Sequence, residues 1–277
     1  MEENKILIHI GMHKTGTTYI QNYFFNSLEN VEIVSHPQFY QNISKKKMSD
    51  SDWFLISNEG ISGVAWNYNW LIGEKNKFCW IDSFHNGIDK IKLLFPEAII
   101  LIFFRKHGDL LISMYKQYLH EGGVLKIEDF YGENKVISEK DLSISTRINK
   151  LKDEFKDVYF LSYEDYKEFG DKYLIDFFGS FGIRYNSTKT KIHFRNESIS
   201  GKKMELLRNV NKFYIRLPLK LRKAMRRLRI SPRDIFQKHL SFWKTRDSDN
   251  IISLKNQINK DFEIDWRFFQ ENKWGIR

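Results

Sequence analysis

Residues 6–10, Ile-Leu-Ile-His-Ile, run straight into Gly11-Met12-His13-Lys14-Thr15-Gly16-Thr17-Thr18. A stretch follows whose apolar residues repeat at helical spacing, Tyr19-Ile20, Tyr23-Phe24 and Leu28. A short buried strand, a glycine-bounded loop and a helix in that order leave few folds open, because the helix must pack back on the sheet that holds the strand. The loop then presents backbone amides and a helix N-terminus, an arrangement that cradles anions. Triphosphate loops read Gly-x-x-x-x-Gly-Lys-Ser/Thr, with the lysine after the second glycine and a magnesium-binding hydroxyl next. Here Lys14 stands two residues before Gly16, and Thr17 follows that glycine. A plain glycine turn with a solvent-facing lysine is the simpler reading of the same octapeptide.

The pattern continues along the chain. Trp53-Phe54-Leu55-Ile56-Ser57 reads as a second strand, followed by Asn58-Glu59-Gly60. A helix is predicted over about 83–94. Residues 97–104, Glu-Ala-Ile-Ile-Leu-Ile-Phe-Phe, have the length and composition of a buried parallel strand and stop at Arg105. A helix over 108–120 carries Leu111, Tyr115, Tyr118 and Leu119 on one stripe and Ser113 on another face. A stripe at Ile144, Ile148, Leu151 and Phe155 and a last strand over 158–161 complete the alternation. Strands alternating with helices predict an α/β class with a doubly wound, mostly parallel sheet and a helical C-terminal extension. In such sheets ligands sit outside the carboxyl ends of the strands, where residues 11–18, Glu59 and Arg105 all fall. At 277 residues the expected organisation is an α/β core over 1–200, with a basic helical part over 201–277 packed on the same domain.

The order Lys14-Thr15-Gly16-Thr17-Thr18 resembles the P-loop-like 5′-phosphosulfate loop of sulfotransferases that use 3′-phosphoadenosine 5′-phosphosulfate (PAPS), in particular bacterial and carbohydrate sulfotransferases. Arg105 and Ser113, with Tyr115 two residues on, resemble the family's 3′-phosphate site, Arg-x-Pro-x-x-x-x-x-Ser-x-Tyr, although His107 stands where proline is usual. Glu59 resembles the glutamate that removes the acceptor hydroxyl's proton. Arg195 and Ser198, within His193–Ser200, resemble a segment that closes over the nucleotide. The resemblance implies sulfuryl transfer from PAPS to a hydroxyl or amine of a carbohydrate or glycolipid, leaving adenosine 3′,5′-bisphosphate (PAP), with no metal required. Lys14 would neutralise the leaving phosphate, and His13 is placed to assist. Some carbohydrate sulfotransferases have a catalytic histidine where this chain has Gln117, so that role is absent or passes to another group such as His120.

Each residue also has a structural reading. Arg105 suits an ion pair, Glu59 a loop or capping carboxylate, and Ser198 a helix N-cap. The alternative activity, a P-loop phosphotransferase or hydrolase, needs a lysine after Gly16 and a magnesium carboxylate at a strand end. Glu59 could serve as that carboxylate, but the strand over 97–104 ends in an arginine.

Cys79 is the sole cysteine, so an intrachain disulfide and a cysteine zinc cluster are excluded, which agrees with a reducing compartment. No apolar run approaches the roughly 20 residues needed to span a bilayer, and a cytoplasmic location is expected. Residues 202–238 hold thirteen Lys or Arg against two acids, more than accounting for the chain's net charge of +10. Leu217, Leu221, Met225 and Leu228 repeat there at helical spacing behind Pro218. That segment suits a solvated face packed on the core by its stripe, a peripheral contact with the inner membrane surface, or an anionic acceptor. Nucleic acid is not expected, since no recognisable DNA- or RNA-binding motif accompanies the charge. The aromatic residues of 61–82, including Trp66, Trp70 and Trp80, suit stacking against sugar rings as well as core packing, and core packing is the expectation.

Overall fold

The computed structural model describes residues 5–34, 53–66, 79–189, 201–228, 230–238 and 246–275. Seven strands occur among them: β1 (Lys5–Ile10), β2 (Leu28–Glu29), β3 (Val31–Val34), β4 (Trp53–Asn58), β5 (Ile99–Phe104), β6 (Val158–Ser162) and β7 (Arg184–Tyr185). Five make one sheet in the order β3-β4-β1-β5-β6, with every pairing parallel. β2 and β7 form a separate antiparallel pair. The chain winds first to one side of β1 and then to the other, so the order reverses between β1 and β5, the position where doubly wound sheets open a ligand crevice.

The continuous apolar runs follow from burial on both faces. Ile8, Ile10, Phe54, Ile56, Ile100, Ile102 and Phe104 point into one layer of the core, and Leu7, Trp53, Leu55, Leu101 and Phe103 into the other. The first layer is closed by α2 (Trp80–Leu94), α3 (His107–His120) and α6 (Ile144–Glu154), with α4 (Ile127–Phe130) and α5 (Glu139–Leu142) between the last two. Phe24, Phe25, Tyr173, Leu174, Phe177 and Phe178 close the second, the last four from α8 (Asp171–Gly179), which follows α7 (Tyr163–Phe169).

Local details depart from the sequence expectations. The helix expected after the glycine loop is α1 (Thr17–Tyr19), which widens into a π-type turn over Ile20–Phe24 and tightens into a 3₁₀ turn over Phe25–Ser27. α2 begins at Trp80, earlier than expected, with Cys79 extended before it. The four-residue edge strand β3 gave too short a period to be read from sequence.

Helices α9 (Lys202–Arg216), α10 (Leu219–Arg227), α11 (Pro232–Lys238), α12 (Asp249–Asp261) and α13 (Glu263–Asn272) complete the chain. α12 lies so close to α3 that a Cβ on Gly108 would stand 2.2 Å from the Lys255 carbonyl oxygen. His107, where the sequence resemblance would put a proline, starts α3 and has a different task. Its Nε2 meets Asp265 Oδ2 at 2.8 Å, and its ring stacks on Phe262 at 4.5 Å. Asp265 also accepts the backbone N–H groups of Ile144 and Ser145, at 2.7 and 2.9 Å. Burial alone would raise the Asp265 pKa, but the hydrogen bonds from His107, Ser145 and Ile144 outweigh it and hold the carboxyl at about 2. One half-buried carboxylate therefore joins the starts of α3 and α6 to the last helix.

Candidate functional site

The loop after β1 is held open by its own side chains. Thr15 and Thr17, both buried, donate their hydroxyls to the Met12 carbonyl at 2.8 and 3.0 Å. The N–H groups of Tyr19 and Ile20 bond the Gly16 carbonyl and start the helix. Gly16 has φ 78°, and Lys14 has φ 63°. For a residue with a Cβ the left-handed region costs about 1–2 kcal/mol, and such strain concentrates at functional positions. Lys14 is half-buried, Thr18 exposed. Burial, and then the neighbouring Arg105, lower the Lys14 pKa, while Glu59 and Glu121 oppose the shift. An ammonium so placed has lost part of its hydration and favours an anionic partner.

Glu59 opens a 3₁₀ turn, Glu59–Ser62, at the end of β4. The Ser62 hydroxyl reaches the carbonyls of Gly11 at 2.9 Å and Glu59 at 2.8 Å, which locks the turn against the loop. Gly11 is required there: a Cβ would stand 2.7 Å from Thr17 Cγ2 and 2.8 Å from Glu59 Cγ. His13 donates Nε2–H to the Gly63 carbonyl at 3.1 Å, and its ring lies 5.4 Å from that of Trp80. Burial lowers its pKa, so the imidazole is neutral at pH 7 and Nδ1 is its remaining polar atom.

On the other side of β1, Arg105 leaves the end of β5 and donates from Nη1 to the Lys14 carbonyl at 3.0 Å. Its guanidinium lies 4.8 Å from the ring centre of Tyr163, the first residue of α7. Its Nε is buried and has no hydrogen-bond partner among the described residues. Arg105 and Ser113 line one cleft of about 110 Å³ together with Asp109, Ile112, Lys116, Asp247 and Lys255. Lys116 pairs with Asp247 at 2.9 Å and Lys255 with Asp109 at 3.5 Å. The cleft thus holds three cations against two carboxylates.

The structure brings Lys14, Glu59, His13 and Arg105 to one end of the sheet and puts Ser113 beside Arg105. Tyr115 is not in that cleft; its hydroxyl donates to the Leu125 carbonyl at 3.1 Å inside the core. Gln117 donates to Glu121 at 2.8 Å, and Trp66 Nε1 holds the other Glu121 oxygen at 2.8 Å. Arg195 and Ser198 lie outside the described residues, as does Trp70. Trp66 and Trp80 are buried. Sequence reasoning missed Lys116, although it stands one helical turn after Ser113. It also missed Tyr163 and Tyr166, whose rings would come within 3.3 and 3.5 Å of a Cβ on Gly16. Lys255 and Asp247 had no local signal, being distant in the chain.

No family model matches this chain, and no curated protein does. Among solved structures, a sulfotransferase from Alicyclobacillus acidocaldarius aligns with 91% of this chain and 100% of its own, at 10% identity and a TM-score of 0.47. A likeness at that level establishes neither family nor activity.

Proposed function

We propose that this protein is a sulfotransferase that moves a sulfuryl group from PAPS to a hydroxyl or amine of a carbohydrate or glycolipid acceptor. The observation that carries this reading is the Arg105 to Lys14 hydrogen bond across the β1/β5 crevice. It couples a loop suited to one anion to a cationic cleft suited to another, and PAPS has two anionic ends. The buried, unpartnered Arg105 Nε and the depressed Lys14 pKa fit such a ligand. A mononucleotide without a 3′-phosphate would leave the Arg105–Ser113 cleft without a partner.

In this reading the amides around Gly16 to Thr18 and Lys14 hold the phosphosulfate, and Arg105 and Ser113 hold the 3′-phosphate, which aligns the donor. The acceptor oxygen forms a bond to sulfur as the bond from sulfur to the bridging phosphate oxygen breaks. Lys14 stabilises the charge that gathers on that oxygen. Glu59 takes the proton that the acceptor hydroxyl releases as its new bond forms. Neutral His13 can accept a hydrogen bond at Nδ1 and so orient the incoming hydroxyl.

Calorimetry without magnesium tests the reading. PAP should bind more tightly than adenosine 5′-monophosphate or ATP. Arg105→Ala should weaken PAP by roughly tenfold to a hundredfold, the range for one charge-assisted hydrogen bond, while leaving adenosine 5′-monophosphate little changed. Equal binding of all three nucleotides, or binding of ATP only with magnesium, overturns it in favour of a phosphotransferase or hydrolase.

A further inference from the structure

Among the described helices longer than seven residues, α10 alone buries no side chain. Its sequence nevertheless carries an apolar stripe. At 100° per residue, Leu221, Ala224, Met225 and Leu228 fall within one arc of about 100°, whereas Leu217, expected on the same stripe, is extended at the end of α9 and stands outside the helix. Leu221 is 47% exposed and Leu228 68%. Of the three readings of this segment, packing on the core by the stripe is the one α10 does not follow: Leu221 and Leu228 are exposed and Met225 is half-buried, while α9 packs through Met204 and Leu207. Lys220, Arg222, Lys223, Arg226 and Arg227 surround the stripe, and no acid occurs between Glu205 and Asp234.

The helix is held in a defined attitude. Tyr214 of α9 donates its hydroxyl to the Arg222 carbonyl at 3.0 Å, and Asn211 bonds the carbonyls of Leu119 and Gly123 at 2.8 and 2.9 Å. α10 is thus tied through α9 to the end of α3, the helix that carries Ser113. Exposed Phe213 and Ile230 flank it.

We propose that α10 seats this protein on the surface of a bilayer rich in anionic phospholipid. A soluble polyanion would satisfy the cations but leave the leucines in water. An anionic bilayer takes both at once, with Lys and Arg at the headgroups and the stripe at the acyl boundary. The proposal does not depend on the transferase reading.

The test is co-sedimentation of the full chain with vesicles of phosphatidylglycerol and phosphatidylcholine, against vesicles of phosphatidylcholine alone. Binding is expected only with phosphatidylglycerol, and salt should weaken it. Leu221→Asp with Leu228→Asp should reduce binding by about tenfold or more, without lowering the melting temperature, since both side chains are exposed. Lys223→Glu with Arg227→Glu, a second exposed pair, should do the same. Leu219→Asp, on the opposite side of the helix, should change binding by less than about twofold. Equal binding to both vesicle types overturns the proposal. So does undiminished binding by the leucine pair, which would identify a purely electrostatic polyanion site.

Discussion

His9 sits near the end of β1, opposite Ser57 on β4 and Leu101 on β5, with no exposed surface. Its Nδ1 shares a hydrogen bond with the Ser57 hydroxyl at 2.7 Å, and its Nε2, between Phe25 and Phe103, has no hydrogen-bond partner among the described residues. Burial lowers its pKa from 6.5 to about 3. The unfolded chain therefore takes up a proton below about pH 6.5 that the folded chain refuses, and stability falls as pH drops from there towards 3. At pH 4.5, two pH units below the unfolded value, the loss from this residue is ~2.7 kcal/mol at 1.36 kcal/mol per unit. Urea unfolding of the native protein and of His9→Leu, each at pH 7 and pH 4.5, isolates it. The other histidines titrate in both proteins and cancel, while Ser57 keeps its hydrogen bond from Gln21. The variant should lose ~2–3 kcal/mol less stability between the two pH values than the native protein. A difference below ~0.5 kcal/mol would refute the reasoning, since it would mean that the folded protein accommodates the imidazolium.

Two further outcomes test the framework of the site. Gly11→Ala should lower stability by about 1–3 kcal/mol through overpacking against Thr17 and Glu59, and calorimetry should show weakened PAP binding; full retention of both contradicts the packing described. For Asp265, a pKa held at about 2 against 3.8 corresponds to ~2.4 kcal/mol, trimmed to roughly 1–2 kcal/mol by partial solvent screening. Asp265→Asn should lose about that much in urea unfolding at pH 7. Because the contribution is present above the unfolded pKa and disappears as pH falls through about 2, a stability gap that widens in acid would contradict it.

The sheet was legible where hydrophobic period and length agreed. β1, β4, β5 and β6 are continuous apolar runs because both faces of the sheet are covered, and such runs survive in one dimension. β3 has only four residues and lies at the edge, and the β2/β7 pair has two residues per strand, too little for any period. The glycine loop and Arg105 were legible because each sits at a strand end. The rest of its cleft was not: Asp247 and Lys255 reach it from far along the chain. His107 looked like a defect in a motif. Its partner, Asp265, is 158 residues away, so the trade of a rigid proline for a long-range hydrogen bond could not be seen locally. The stripe of α10 shows the converse limit, since helical period reports an apolar face without saying what covers it.

The central place of β1 has a kinetic consequence. Arg105 bonds a carbonyl 91 residues earlier in the chain, and His13 bonds one 50 residues later. The second link needs β4 beside β1 and the first needs β5 on the other side, each at a large loop-closure cost, so the pair is complete only when β1 is flanked on both sides. The anion loop should therefore remain conformationally free until late in refolding, with Lys14 entering its left-handed state after the sheet is complete. An anion added during refolding should then slow unfolding more than it speeds folding, the signature of contacts absent from the transition state.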